Sequence, residues 1–198
     1  DVTLEQLATL EVAGTTTLSG LLKEEKPGTG LVKKGNGTLV LEGANTISGG
    51  VNIEEGTLSV NNLGGSATGS GPVEIGGKAT LSGTGIIAGN LSLAAGAILN
   101  PGASPGRLTT GAQTWAPGVT LVWELADATA GDGLGWDTLQ VNGTLTLGST
   151  AANPYTIRLV TLGPDNRPAP AAHFDPARDY VWKVAQTTQG VRGFDATA

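Results

Sequence analysis

The sequence predicts an all-β solenoid, a rod of short stacked coils, and three observations carry that expectation. A phrase repeats: Gly37-Thr38-Leu39-Val40-Leu41 returns as Gly56-Thr57-Leu58-Ser59-Val60, with Val51-Asn52-Ile53 between the copies. A period near twenty residues, built from short alternating strands and Gly/Asn turns, is the pattern of a stacked-coil protein. Glycine is abundant, 32 of 198 residues, more than twice the roughly 7% of ordinary chains. It follows no three-residue period, which excludes collagen, and it punctuates many short strands. Finally, Leu and Val recur at every second position of short segments, while charge is too sparse for a disordered chain.

Taken in order, the first segment, Thr3 to Val12, reads as a helix (Leu4, Leu7, Leu10) or equally as two short strands. After it the alternation is consistent. Leu39/Leu41, Leu58/Val60, Val73/Ile75, Leu91/Leu93, Leu139/Val141 and Leu145/Leu147 each place two apolar side chains on one face of a strand. Strands this short gain stability only when like rungs stack and bury a continuous aliphatic column. At roughly twenty residues per coil and about 4.8 Å per rung, the chain would make about ten coils and a rod near 45–50 Å long. Asn36, Asn45, Asn52, Asn61, Asn62, Asn90 and Asn142 fall at turns, where Asn tolerates left-handed backbone and bonds nearby amides. They read as structural, with side-chain ladders between coils as one arrangement.

Two regions are expected. Residues 1–114 carry no aromatic side chain and form the regular aliphatic coils, including the repeat at 28–60. Residues 115–198 carry Trp115, Trp123, Trp136, Tyr155, Phe174, Tyr180, Trp182 and Phe194, and are expected to continue the solenoid and then cap it. An open solenoid end exposes unpaired backbone and requires such a cap. The tryptophans Trp115, Trp123, Trp136 and Trp182 are the candidate cap residues. Leu121–Leu125, Tyr155–Val160 and Tyr180–Val184 read as the longer strands of this region, and 161–178, rich in Pro and Ala, as a long loop or lid.

Composition also excludes. Without cysteine there is no disulfide and no thiolate chemistry. The net charge is −6 and basic residues are scattered, so nucleic acid is not expected as a partner. No apolar run approaches the ~18 residues of a membrane helix. The chain starts at Asp1 and lacks methionine, so a mature fragment is expected, with any signal peptide or membrane barrel outside it.

The repeat resembles the autotransporter-associated β-strand repeat, also called the passenger-associated transport repeat, of bacterial surface and secreted proteins. The residues that carry the resemblance are Leu31-Val-Lys33-Lys-Gly35-Asn-Gly37-Thr38-Leu39, Gly43-Ala44-Asn45-Thr46, Ser48-Gly49-Gly50 and Gly56-Thr57-Leu58-Ser59-Val60. Leu99-Asn-Pro101-Gly102-Ala-Ser104-Pro105-Gly106-Arg-Leu108 is similar to a turn near the C-terminal end of the same passengers. The resemblance implies a right-handed parallel β-helix, export by the type V route, and display on or release from the bacterial cell surface. It also implies the protein's own C-terminal outer-membrane barrel as a partner, and an autochaperone-like role for the last coils.

Chemistry is sparse. His173 is the only histidine, and no Gly-x-Ser-x-Gly elbow accompanies it. Asp175/Asp179 and Glu54-Glu55 are carboxylate pairs without the aromatic or basic company of a glycosidase groove. Asp132-Gly-Leu-Gly135-Trp-Asp137-Thr-Leu139 is similar to the calcium-binding nonapeptide of repeats-in-toxin proteins. Asp132 and Asp137 are therefore candidate calcium ligands. Calcium needs six or more oxygens from neighbouring coils, and one copy occurs here, so a plain Asp/Gly turn is the preferred reading.

The expected function is structural and non-enzymatic, with no cofactor and no small-molecule substrate: a stalk or scaffold that aids folding-coupled secretion. Adhesion to a host surface or to sibling passengers is the alternative, and a carbohydrate-active enzyme a distant third.

Overall fold

In a computed structural model, which describes residues 1–194, the chain forms strands and turns with no helix. The strands are β1 (Val2–Leu4), β2 (Ala8–Glu11), β3 (Thr15–Leu18), β4 (Leu22–Glu24), β5 (Leu31–Lys34), β6 (Thr38–Leu41), β7 (Val51–Val60), β8 (Val73–Gly83), β9 (Ile86–Ile87) and β10 (Leu91–Leu93). They continue as β11 (Ile98–Pro101), β12 (Arg107–Thr110), β13 (Gln113–Trp115), β14 (Thr120–Leu125), β15 (Thr138–Val141), β16 (Leu145–Leu147), β17 (Thr156–Thr161), β18 (Ala185–Thr187) and β19 (Val191–Arg192). The ambiguous first segment resolves as strands, β1 and β2.

Every pairing between these strands is parallel, and each strand pairs with its counterpart one coil away. This is a β-solenoid, as the repeat predicts. On the first face Ala8 pairs with Leu31, Leu31 with Val51, Val51 with Val73, Val73 with Leu91, Leu91 with Gln113, Gln113 with Leu145 and Leu145 with Val191. The second face stacks β3, β6, the second halves of β7 and β8, then β11, β14 and β17. The third runs β9, β12, β15, β18, preceded by the β1–β4 pair.

Among the described residues the first face therefore has eight rungs, not about ten, and seven inter-strand steps give a length of about 34 Å. Coils of 23, 20, 22, 18 and 22 residues are followed by coils of 32 and 46. The last two account for the shortfall, because each makes a long excursion between the second and third faces. At that corner the links are 84–85, 102–106, 126–137 and 162–184, each longer than the one before.

The interior is one continuous column. Leu22, Leu31, Leu39, Leu41, Ile53, Leu58, Ile75, Leu81, Ile87, Leu99, Leu108 and Leu139 are all buried in it, and it runs from Leu4 to Leu147 without a break at residue 114. The apolar pairs read from the alternation all point inward. A second, smaller core lies under the two long excursions: Trp123, Leu125, Trp136 and Ala171, with Trp182 and Val184 against them.

Tyr180–Val184 is not a strand. Its alternation comes from ring packing: Tyr180 and Trp182 stack on each other while Val181 stands fully exposed, and pairing begins only at Ala185. On the third face no strand lies between β4 and β9, and side chains carry the backbone bonding there. Asn45, buried, accepts from the Leu22 amide at 2.7 Å in the coil before and donates to the Ala67 carbonyl at 2.6 Å in the coil after. Asn62 accepts from the Ile86 amide at 2.8 Å. These asparagines bond backbone across coils; no Asn–Asn side-chain hydrogen bond occurs among the described residues.

Candidate functional site

Three clusters of polar and aromatic groups stand apart from the aliphatic column. The first is in the repeat. Gly37 ends the corner before β6, whose Leu39 points inward beneath Leu58 of β7, and Thr38 pairs with Thr57 on the outer side. Asn45 bridges coils as described above, and Gly49-Gly50 lead into β7, with the Gly50 carbonyl accepting from the Leu31 amide at 3.0 Å. Glu24 clasps the same turn: Ser48, through its hydroxyl at 2.7 Å and its amide, and the Thr29 amide hold its carboxyl below the usual glutamate range.

Lys33 belongs to the repeat, yet the sequence alone suggests no role for it. It is fully buried. Alternation gives the signal: Leu31 points inward, so Lys33, two positions on, does too. Its ammonium donates to the Gly35 carbonyl and, at 2.7 Å, to the Glu55 carbonyl in the next coil. Burial holds it below the usual lysine range, against the pull of Glu11 and Glu55. Gly56, at φ 72°, stands where a Cβ would overlap the Lys33 ammonium, so this corner requires glycine for space as well as for backbone.

The second cluster joins two motifs that the sequence treats separately. The Pro101–Gly106 turn and the Asp132–Leu139 loop meet at Asp137. This carboxylate is fully buried, accepting from the Gly106 amide at 2.9 Å and from the Glu124 amide at 2.9 Å. Its backbone carbonyl accepts from Trp123 Nε1 at 2.7 Å. Gly102, at φ 99°, brings its Cα against the same carboxylate, where any side chain would collide. The Ser104–Pro105 peptide in this turn is cis. Burial pushes the Asp137 carboxyl up to about 7; the Glu124 and Gly106 amides oppose the shift and the Glu124 carboxylate adds to it. Asp132, the other candidate calcium ligand, faces Lys183 at 3.9 Å. The Asp137 oxygens are engaged by amides. Among the described residues no three of His, Cys, Asp and Glu gather as a metal site.

The third cluster is aromatic. Trp182 packs on Trp123 at 5.9 Å between centroids, Tyr180 stacks on Trp182 at 5.0 Å, and Phe174 on Tyr180 at 5.4 Å. Trp136 joins the same core. Trp115 does not: it lies in the main column between Leu93 and Leu147, edge-on to Tyr155. The two long links are laced together by backbone bonds between Ala128 and Ala172 and between Ala172 and Ala126, and by Trp182 Nε1 donating to the Ala128 carbonyl at 3.2 Å. The Thr129 amide, and with it His173, whose Nδ1 sits 3.0 Å away, holds the Asp127 carboxylate below the usual range. At the end of the rod, Ile157 and Leu159 of β17, which continue the inward rows of Leu121 and Trp123, remain about half exposed.

Stacked parallel coils around one aliphatic column, with buried polar groups bonding backbone at their corners, define a β-solenoid. Residues 31–60 match the family model described as Passenger-associated-transport-repeat, so this segment is similar to an autotransporter passenger repeat. Such a repeat implies secretion or surface display, in association with the C-terminal barrel of its own polypeptide. Compared with curated proteins, the chain matches none.

Proposed function

We infer that the chain is a non-enzymatic stalk or scaffold in a bacterial autotransporter, and that coil-on-coil folding of its C-terminal part, from residue 115, aids export. The observation that carries this reading is the unbroken column from Leu4 to Leu147. Each coil is completed by the next, so order propagates from coil to coil and opposes back-sliding of a chain leaving a pore. The carboxylates support a non-catalytic reading: Glu54 pairs with Lys34 at 3.3 Å, Glu55 with Lys78 at 3.7 Å, and His173 with Asp127. Deleting residues 115–198 from the exported protein and measuring surface display tests the proposal. Display should fall; undiminished display overturns the export role.

A second reading, adhesion to a host surface or a sibling passenger, has one observation in its favour. Leu134, Phe174 and Val181, all on the two long links, are exposed. It predicts self-association or surface binding that Phe174→Ser with Val181→Ser removes. Binding indifferent to that pair would reject it.

A further inference from the structure

Through β14, the corner between the first and second faces has a constant length with one exception, in the coil of β7. From Ala8 to Thr15, Leu31 to Thr38, Val73 to Thr80, Leu91 to Ile98 and Gln113 to Thr120 the step is the same seven positions. From Val51 to Thr57 it is six. The coil below is therefore one residue longer at this corner, and so is the coil above, where the β7–β8 register slips between Ile53 and Glu55. At this corner the Gly35 and Glu55 carbonyls accept from a side chain.

Lys33 lies at that gap. Its strand position is in register with Leu10, Ile53, Ile75, Leu93 and Trp115, and it is the polar member of this inward row. The ammonium turns out of the column into the corner, bonds Gly35 O and Glu55 O, and occupies the space beside Gly56 where Gly35 O and Gly37 O converge. Among the described residues no carboxylate bonds it; its hydrogen-bond acceptors are main-chain carbonyls, one in its own coil and one in the next.

We propose that Lys33 stands in for a deleted residue: its ammonium supplies, from the side, the hydrogen bonding and bulk that a seventh corner residue supplies in the neighbouring coils. Lys33, Gly56 and the nineteen-residue spacing between Thr38 and Thr57 are then one feature, a positioning device that sets the register of a short coil on a longer one. A buried lysine without this role would be replaceable by an apolar side chain of similar length, because the rest of its row is apolar. The inference concerns the coil itself and is independent of the export reading.

The test is a compensation experiment on the 198-residue chain. Lys33→Leu leaves the corner carbonyls unpaired and lowers the urea midpoint. Inserting one glycine between Glu55 and Gly56 in the wild type also lowers it, because the ammonium and the added residue compete for one space. The two changes together restore a seven-step corner and recover most of the midpoint and the β-sheet circular dichroism. If Lys33→Leu alone does not fold, recovery of folding by the insertion is the readout. A combined variant no more stable than Lys33→Leu overturns the proposal, as does a Lys33→Leu variant as stable as the wild type.

Discussion

The short coils and the two long ones solve the same burial problem differently. Between β5 and β12 each coil borrows its interior from the coils on either side, and aliphatic side chains suffice because coils of 18 to 22 residues are too short to stray. From β14 onward the links 126–137 and 162–184 leave the rod and cannot use its column. They require a core of their own, and Trp123, Trp136 and Trp182 provide it. Aromatic rings suit a core this small, because a few of them bury a large area. The shift from aliphatic to aromatic composition thus tracks link length, while the rod continues past residue 114.

If the two regions are separate in energy as well as in composition, their mutations should differ in reach. The largest effect is expected from Leu58→Ala, in the middle of the column, which should cost about 3–5 kcal/mol and lower the urea midpoint of the whole chain. Next is Asp137→Ala, which orphans the buried Gly106 and Glu124 amides and should cost about 2–4 kcal/mol in total. The same aspartate gives a signed pH test. Its folded value, about 7, lies above the ordinary 3.8, so the folded state binds the proton more tightly. Its contribution to stability is complete below about pH 4 and declines as pH rises to about 7. Asp137→Asn should flatten that decline in a series of urea melts; an unchanged slope assigns it elsewhere.

Trp182→Ala should act locally. We expect a loss of about 2 kcal/mol in the second core, read as early protease cleavage within 162–184 while amides of β5–β8 keep their hydrogen-exchange protection. Simultaneous loss of protection in both regions would erase the distinction. The smallest effect belongs to Lys34→Ala. Its pair with Glu54 is half exposed, and the urea midpoint should not move.

The inward rows were legible because the pleat alternates: Leu39/Leu41 and Leu145/Leu147 needed no partner to be oriented. The turn residues Asn45 and Gly50 were legible because their chemistry is local. What stayed hidden was set at a distance. Nothing near Trp115 tells that its row is completed by Leu93 and Leu147, at steps of 22 and 32 residues. The sequence shows the Asp137 carboxylate and not the two amides that bond it, because these come from 31 and 13 residues away. Tyr180–Val184 imitated a strand because stacked rings and a pleat both alternate with a period of two.

The links that grow from 84–85 to 162–184 all leave by one corner, while the other two corners keep nearly constant lengths through β14. That corner is therefore a seam that tolerates insertion in successive coils. A peptide epitope or a small folded domain grafted at the exposed Leu134 would extend outward from the shaft and leave Trp136 and Asp137 in place. The same seam is where natural variants of such a chain could diversify fastest, by lengthening a loop, while the shaft is inherited unchanged.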